Sequence, residues 1–379
     1  MSTTPPTAPR DSDELRVGVI GLGFAGSTHL AAFQSLPGAR VVALAGQEPE
    51  RLQELGSTHG VPDLSADWQD LVARDDLDIV SIGVPNDLHH PIAMAALTSG
   101  KHVFCEKPLA VTGDLAAEMV AAAIANDRVL EVAYNHRRRA DVAFLGEYLA
   151  DDPIGEVYHA RASWLRRSGI PGLGSWFTSR HTAGGGPLID LGSHVLDIAL
   201  HLMGEPRVVT ASAVTASALG RAGRGGGSKV PALSDGTHAF DVEDFSSALL
   251  RLDTGASLHL EASWASYSKA NEDIEVELLG ATGGVRLHVD DYATDDTITL
   301  YSDIAGAPTV SRPKVHVPAG HHRSVIEGFL AAIRAGQGVS APRYIGHYGE
   351  YALHRSRVVD AIYESAASGH EVEIEGEAR

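Results

Sequence analysis

Two segments of the chain combine side chains that could move a proton to or from a substrate hydroxyl. Lys107 stands between Glu106 and Pro108, and Asp190 and His194 lie four residues apart at the start of an apolar helical pattern. Four residues are about one helical turn, so the spacing predicts that the carboxylate and the imidazole share a face. A neighbouring carboxylate raises the proton affinity of an imidazole and orients it as a general base. An ammonium can stabilise charge that develops on a substrate oxygen, so the residue types indicate alcohol oxidation or its reverse.

Each of these residues also has a structural interpretation. Lys107 could form a surface ion pair with Glu106, and Asp190 could cap a helix whose His194 belongs to the core. Asp197, one turn further on, could orient His194, touch the substrate or have a structural role. Lys107 comes directly after an apolar strand, at the edge where doubly wound sheets bind ligands, and this position favours a catalytic role.

A glycine-rich segment near the N-terminus has the spacing of a dinucleotide-binding loop. It follows the apolar strand Val17 to Ile20 and opens an apolar helix from Ser27 to Leu36. In this context the first glycine makes a tight turn, the second lets the backbone approach a pyrophosphate, and the third packs helix on strand. The predicted cofactor-binding residues of the loop are Gly21, Gly23, Phe24, Ala25 and Gly26.

The end of the second strand leaves the choice between NAD and NADP open. An acidic residue at this place holds the ribose hydroxyls of NAD in many such domains. Here the strand ends on Gly46, followed by Gln47 and Glu48, while Arg51 lies one helical turn further on. Gln47 could bond the ribose without a charge. We expect NAD, with NADP as the alternative.

Two patterns along the chain predict two domains. Between Arg16 and Tyr134, short β-branched strands alternate with helical segments, which predicts a doubly wound parallel sheet. After Asp141, longer alternating strands joined by short turns predict an α+β domain with a mostly antiparallel, open-faced sheet. The expected boundaries are a disordered lead-in at 1–14, a Rossmann domain at 15–137, and a substrate-binding and oligomerisation domain at 138–379.

The chain closes with two predicted helices, at 321–335 and 349–367, and we expect the last to pack back on the Rossmann domain. A stretch rich in glycine, from Gly220 to Gly236, is predicted as a surface loop, with a substrate lid as the less favoured interpretation.

Composition excludes several classes of partner. The 379 residues carry a formal net charge of −19, so a basic nucleic-acid face is not expected. No segment approaches 18 continuous apolar residues, so no membrane span is predicted. The single cysteine, Cys105, forms no disulfide within the chain and fits a cytoplasmic location. The 19 histidines show no metal-ligand spacing with an evident third ligand, so no catalytic metal is predicted.

Four segments together resemble one family of oxidoreductases. They read Val-Pro-Asn-Asp-Leu-His at 84–89, Gly-Lys-His-Val-Phe-Cys-Glu-Lys-Pro-Leu at 100–109, Gly-Gly-Gly-Pro-Leu-Ile-Asp-Leu-Gly-Ser-His at 184–194 and Ala-Ile-Tyr-Glu-Ser-Ala at 361–366. The sequence resembles the Gfo/Idh/MocA family, named for glucose-fructose oxidoreductase and inositol dehydrogenase. Val84 departs from the threonine often found there. The resemblance implies a Pro-Asn segment near the nicotinamide ribose, a catalytic lysine in Glu-Lys-Pro, and dimers or tetramers paired through the C-terminal sheet.

The resemblance also implies the reaction. We expect NAD(P)-dependent oxidation of a secondary hydroxyl of a sugar, sugar derivative or cyclitol, or reduction of the ketone, by hydride transfer to or from nicotinamide. Lys107 would polarise the reacting oxygen, His194 would move the proton, and Asp190 would orient His194 or bind a neighbouring hydroxyl. Two alternatives remain: a glycosidase or epimerase-like enzyme that recycles its NAD, and a non-catalytic sensor.

Further residues are expected around this centre. Aromatic faces with neighbouring donors suit a sugar ring, although strands or a subunit contact would also place tryptophan and arginine there. The expected additional cofactor contacts are Gly46, Gln47, Pro85, Asn86, His89, Glu106 and Lys107 itself. The expected additional substrate contacts are Asn135, Arg137, Trp164, Arg166 and Trp176.

Overall fold

The computed structural model describes residues 14–226, 240–267, 271–316, 321–336 and 349–374. Residues 1–13 of the predicted lead-in and residues 227–236 of the predicted glycine-rich loop lie outside the described residues.

The N-terminal part contains a parallel sheet of six strands. The strands are β1 (Leu15–Ile20), β2 (Ala39–Ala45), β3 (Asp63–Ser65), β4 (Ile79–Ile82), β5 (His102–Cys105) and β6 (Leu130–Val132). Helices between them are α1 (Phe24–Gln34), α2 (Pro49–His59), α3 (Trp68–Val72), α4 (His89–Thr98) and α5 (Gly113–Ala125). β4 is wholly buried because helices cover both faces of a parallel sheet.

The strand order β3-β2-β1-β4-β5-β6 confirms the predicted doubly wound sheet. The order reverses between β1 and β4, and ligands of such sheets bind beside the carboxyl ends of the strands at this reversal. The glycine loop follows β1, and Glu106 and Lys107 follow β5. Both therefore lie at the ligand-binding edge.

The C-terminal part contains a second sheet of nine strands. Its elements are α6 (Ala140–Leu149), β7 (Val157–Arg166), α7 (Arg180–Ala183), α8 (Ser193–Leu202), β8 (Val208–Ala216), β9 (Phe245–Leu252), β10 (Ser257–Ser263), β11 (Glu272–Gly280), β12 (Gly283–Asp290), β13 (Ile298–Ile304), β14 (Ala307–Ser311), α9 (His321–Arg334), α10 (Glu350–Ser368) and β15 (Val372–Glu373). Its order is β14-β13-β12-β11-β7-β10-β9-β8-β15.

The pairing of this sheet confirms the predicted α+β architecture. Among the described strands of this second sheet, only β7 and β10 pair in parallel, and the other pairs are antiparallel. Burial alternates along β7 and β10, with Ala160 and Ala162 on the inner side where α8 packs. One face of the sheet therefore builds a core, and the other carries polar side chains.

The last two helices contact the first sheet's layer. Phe329 of α9 packs beside Phe104, and the backbone N–H of Gly113 donates to Asp360 of α10 at 2.6 Å. The Tyr351 hydroxyl of α10 lies 3.0 Å from a carboxylate oxygen of Glu131. α9 and α10 therefore pack against the Rossmann domain. Across the described ranges, no helix combines the length and apolar character that a membrane crossing needs.

Candidate active site

Lys107 and Asp190 form an ion pair between the two sheets. The Lys107 Nζ donates to the Oδ1 and to the backbone carbonyl of Asp190, both at 2.9 Å. Trp264 donates from its indole nitrogen to the other carboxylate oxygen at 2.8 Å. Burial alone would raise the pKa of Asp190, but the positive charges of Lys107 and Arg166 hold it below its usual value. Asp190 is therefore an anion that fixes the ammonium group.

The predicted pairing of Asp190 with His194 is not formed, and this interpretation is corrected. Residues Leu188–Gly192 form a π-helical turn before α8, and its i→i+5 pattern changes the alignment that an α-helix gives to residues four apart. Both carboxylate oxygens of Asp190 are occupied by Lys107 and Trp264 instead. The alternative ion pair of Lys107 with Glu106 is also not formed, because the Lys107 ammonium bonds Asp190 and Lys107 donates to Glu106 from its backbone N–H, at 3.1 Å.

His194 is a buried imidazole surrounded by aromatic rings. It is 6% exposed, and its ring centroid lies 4.7 Å from His136, 5.8 Å from Trp164 and 6.3 Å from Tyr134. Its Nδ1 has no hydrogen-bond partner in the part of the chain that the structure describes. Burial, followed by the charge of Lys107, lowers its pKa well below the usual value. The ring is neutral and can accept a proton.

This environment predicts the shape of the pH profile for alcohol oxidation. A base acts when deprotonated, so activity should persist as the pH falls through 6.5, the ordinary pKa of histidine, and disappear only as it falls through the lowered pKa of His194. The measurement is kcat/KM for oxidation between about pH 5 and 9. An acid limb centred at or above about pH 6.5 would contradict the assignment.

The glycine loop has the shape that a dinucleotide pyrophosphate needs. Gly21 has φ 106°, and a Cβ on Gly26 would lie 2.0 Å from the carbonyl oxygen of Gly21. A Cβ on Gly23 would meet no atom within 4 Å, and the neighbouring Phe24 ring is 85% exposed. Gly21 and Gly26 therefore close the turn, while Gly23 leaves free space at the start of α1. The residues present fit the phosphates of NAD.

Replacing Gly23 by alanine is expected to weaken NADH binding about tenfold without destabilising the fold. The added methyl enters the space that a pyrophosphate would use, whereas no protein atom lies near it. Gly146→Ala is the matched control because a Cβ there, within α6, also meets nothing within 4 Å. NADH fluorescence titration and the melting temperature test both variants. Equal NADH affinity in Gly23→Ala and wild type would disprove the expected contact.

A second cluster fixes Glu106 next to the ion pair. The Nε2 atoms of His29 and His322 lie 2.9 and 3.1 Å from the same Glu106 oxygen, and Ser81 bonds the other nitrogen of His29 at 3.0 Å. Burial opposes ionisation of Glu106, but the two imidazoles hold its pKa well below the usual range. These donor types also bind metal ions, but both distances are those of ordinary N–H···O hydrogen bonds. The cluster joins α1, β5 and α9.

The predicted nicotinamide-side residues have different positions. Asn86 is buried and donates to the carbonyl of Ala183 at 2.8 Å, which ties the short helix after Pro85 to α7. His89 is fully buried, and its ring nitrogens lie 2.8 and 3.0 Å from the carbonyl oxygens of Pro108 and Val84. The expectation that His89 contacts the cofactor is corrected, because no ring nitrogen remains for a ligand.

At the adenosine side, Leu22 packs where a side chain on Gly46 would lie, 2.3 Å from its Cβ position. Gln47 is exposed beside it.

Two of the predicted substrate residues lie together at the end of β7, and two others lie on separate segments. Trp164 donates to Glu272 at 2.7 Å, and Arg166 forms an ion pair with the same carboxylate at 2.7 Å, both at the end of β7 beside His194. Asn135 is half-buried after β6, and Trp176 stacks on the neighbouring Phe177 at 3.8 Å before α7.

Arg137 belongs to a buried ion cluster rather than an open subsite, and its predicted substrate contact is corrected. It donates to Asp197 and is 4.5 Å from the centre of the Tyr351 ring. Arg355 binds the same Asp197 and also Glu205. Asp197 therefore serves two arginines and does not orient His194.

Comparison with known proteins agrees with this geometry. The model of the Gfo/Idh/MocA oxidoreductase family, described as an NAD-binding Rossmann fold, matches residues 15–134, and the family's C-terminal domain matches residues 142–286. The chain belongs to the Gfo/Idh/MocA family. The predicted family, enzyme class and NAD-binding domain are confirmed.

Several members of the Gfo/Idh/MocA family resemble the chain over their whole length. A levoglucosan dehydrogenase of Pseudarthrobacter phenanthrenivorans is 32% identical over 95% of this chain and 98% of its own length. A D-glucoside 3-dehydrogenase of Escherichia coli is 30% identical over 96% of this chain and 98% of its own. A solved levoglucosan dehydrogenase in complex with NADH has a TM-score of 0.80 at 28% identity, covering 96% of this chain and 99% of that one.

The site also contains residues that the sequence patterns did not single out. Trp264 follows β10, which runs parallel to β7, and Glu272 begins β11, which runs antiparallel to it, so both lie at the end of β7. Buried Glu243 accepts the backbone N–H groups of Gly186 and Leu188, at 3.0 and 3.1 Å, ahead of Asp190. The residues that Trp264, Glu272 and Glu243 contact are distant in sequence. The only local sign of a role in the site was therefore a polar or aromatic residue at the end of a strand.

Proposed function

We propose that the chain oxidises a secondary hydroxyl of a cyclic sugar or sugar derivative, or reduces the corresponding ketone, with NAD as redox partner. The observation that supports this most directly is an ammonium bound to an anionic carboxylate at 2.9 Å beside a buried imidazole of lowered pKa. The group lies at the carboxyl edge of the Rossmann sheet. The full-length resemblance to levoglucosan and D-glucoside dehydrogenases supports a carbohydrate substrate.

The proposed mechanism assigns roles to four side chains. The glycine loop, with Gly21, Gly23 and Gly26, would hold NAD, and the bound cofactor would supply the acceptor for the hydride of the carbinol carbon. Lys107 would donate a hydrogen bond to the substrate oxygen and stabilise its developing negative charge. His194 would take the hydroxyl proton, since its lowered pKa keeps it neutral. Asp190 would hold Lys107 in place while Trp264 fixes the other carboxylate oxygen. The carbonyl product, a protonated His194 and the reduced cofactor balance the reaction.

Trp164, Arg166 and Glu272 are proposed to form the wall that binds the sugar ring. The indole and guanidinium share one carboxylate, which orients both at the end of β7. An aromatic face suits the C–H side of a pyranose, and the charged groups suit its hydroxyls.

Spectrophotometry of cofactor reduction tests the proposal. Purified protein is incubated with NAD or NADP and with levoglucosan, methyl and aryl glucosides, free aldoses and inositols. Formation of NADH with at least one cyclic sugar is the expected result. NADH binding with no reduction of NAD by any substrate would overturn the proposal, and sugar-bond cleavage without net NADH would favour the cofactor-recycling alternative.

That alternative has weaker support among relatives. A glycosyl hydrolase family 109 protein of Shewanella pealeana is 32% identical, but over 46% of this chain and 42% of its own length. The dehydrogenases span nearly the whole chain.

We also propose that two chains, or four, pair through the outer face of the second sheet. Leu249 and Arg161 on this face are exposed, and an open antiparallel face is a frequent contact between subunits. Light scattering after size-exclusion chromatography measures the mass, and a monomer would contradict the proposal. The cytoplasmic location stays a prediction that rests on the single, buried Cys105.

A further inference from the structure

Tyr292 stands beyond the reaction centre on the substrate side of the second sheet. Its ring lies 6.4 Å from the Trp164 ring in an edge-to-face arrangement, and its hydroxyl accepts a 3.3 Å hydrogen bond from Arg166. Arg166 in turn contributes to the lowered pKa of Asp190. The residues thus form a row outward from the Lys107–Asp190 pair, and Tyr292, at its outer end, is 50% exposed.

The backbone of Tyr292 has a left-handed conformation that is energetically unfavourable for a tyrosine. Asp291 has φ 46° and Tyr292 has φ 59°, and the N–H of Ala293 donates to the carbonyl of Asp290 at 2.9 Å. Two left-handed central residues define a type I′ turn, whose second central position strongly favours glycine. A tyrosine there is strained, because its Cβ crowds the backbone in the left-handed region.

Neighbouring bonds hold this strained turn in one arrangement. The N–H of Asp291 donates to the carbonyl of Glu272 at 2.9 Å, and the Asp291 carboxylate accepts the N–H of Glu272 at 3.1 Å. The start of β11 therefore positions the turn and, with it, the ring of Tyr292. Glu272 also binds Trp164 and Arg166, so the wall and the turn form one unit.

We propose that Tyr292 is a stacking platform for a second ring attached to the sugar that is oxidised. This inference rests on the proposed function. The ring is half exposed, and its hydroxyl bonds Arg166 at 3.3 Å and the Glu272 carboxylate, so burial of the ring does not explain the strained backbone. An exposed aromatic face suits the C–H side of another sugar or an aryl group. Arg166 and Glu272 beside it supply donors and acceptors for hydroxyls. The platform therefore favours glycosides with a cyclic substituent over single rings.

Tyr292→Gly separates recognition from folding, because glycine relieves the left-handed strain while it removes the ring. We expect the ratio of kcat/KM for an aryl glucoside to that for methyl glucoside to fall about tenfold. Turnover of methyl glucoside should stay within about twofold of wild type. The melting temperature should be unchanged or higher. Tyr292→Phe keeps the ring and should keep the ratio, and Tyr158→Ala, at another exposed tyrosine, is the matched control.

Distinct outcomes separate failure of the platform from failure of the proposed function. If wild type oxidises both glucosides and Tyr292→Gly has an unchanged ratio, the platform is wrong. A lower melting temperature with equal losses on both substrates would assign Tyr292 a purely structural role and also overturn it. If wild type oxidises no sugar, the proposed function fails. Calorimetric titration of the NADH-bound proteins with the aryl glucoside then decides the platform, which requires binding to be about tenfold weaker in Tyr292→Gly.

Discussion

Replacing Lys107 by methionine is expected to lower kcat for sugar oxidation by about three orders of magnitude. Methionine keeps an unbranched apolar stem but removes the donor that bonds Asp190 at 2.9 Å and would bond the substrate oxygen. Without the ammonium, burial raises the pKa of Asp190, and only the charge of Arg166 and the hydrogen bond from Trp264 oppose this rise. The negative charge on the reacting oxygen then develops without the ammonium group that would stabilise it.

Steady-state kinetics and NADH titration measure this effect together. The affinity for NADH should change little, because the glycine loop is a separate part of the site. Lys314→Met is the control, since Lys314 also pairs with an aspartate, Asp296, but is 75% exposed. A kcat within tenfold of wild type in Lys107→Met would refute the proposed role of the ammonium.

Much of the Rossmann domain could be predicted because its signals are local. The alternation of strands and helices, and the position of Lys107 directly after β5, place this residue at the ligand edge without knowledge of distant contacts. The glycine spacing similarly predicts which backbone atoms approach one another.

The predictions for the second domain failed where partners are far apart in sequence. The spacing of Asp190 and His194 is the same in an α-helix and in a π-helical turn, so it could not reveal that Lys107 and Trp264 occupy the carboxylate. Tyr292 and Glu272 reach the site through strand register and a left-handed turn. Neither feature has a periodic signal in the sequence.

The ion pairs of Asp197 could not be predicted from the sequence for the same reason. Arg355 lies 158 residues further along the chain, on α10, and no spacing rule relates the two. Both side chains are 1% exposed, and Arg355 also bonds Glu205 at 2.5 Å. Burial would raise the pKa of Glu205, but Arg355, a hydrogen bond from His201 and the charge of Arg137 hold it at about 2. Glu205 is therefore charged, next to the buried Asp197 that the same two arginines bind.

Replacing Arg355 by methionine should consequently destabilise the fold by about 3–5 kcal/mol, because it leaves two buried carboxylates with Arg137 as their remaining arginine partner. For a chain of this size, the melting temperature should fall by roughly 6–10 °C. Arg207→Met is the matched control, since its partner Asp253 is 29% exposed and such surface pairs contribute less than about 1 kcal/mol. Similar shifts of the melting temperature in both variants would show that burial of the ion pair does not determine how much its loss destabilises the fold. A large shift in Arg355→Met alone, with NADH affinity retained, would establish that the ion cluster around Arg137, which was predicted from sequence to bind substrate, serves to join α8 and α10.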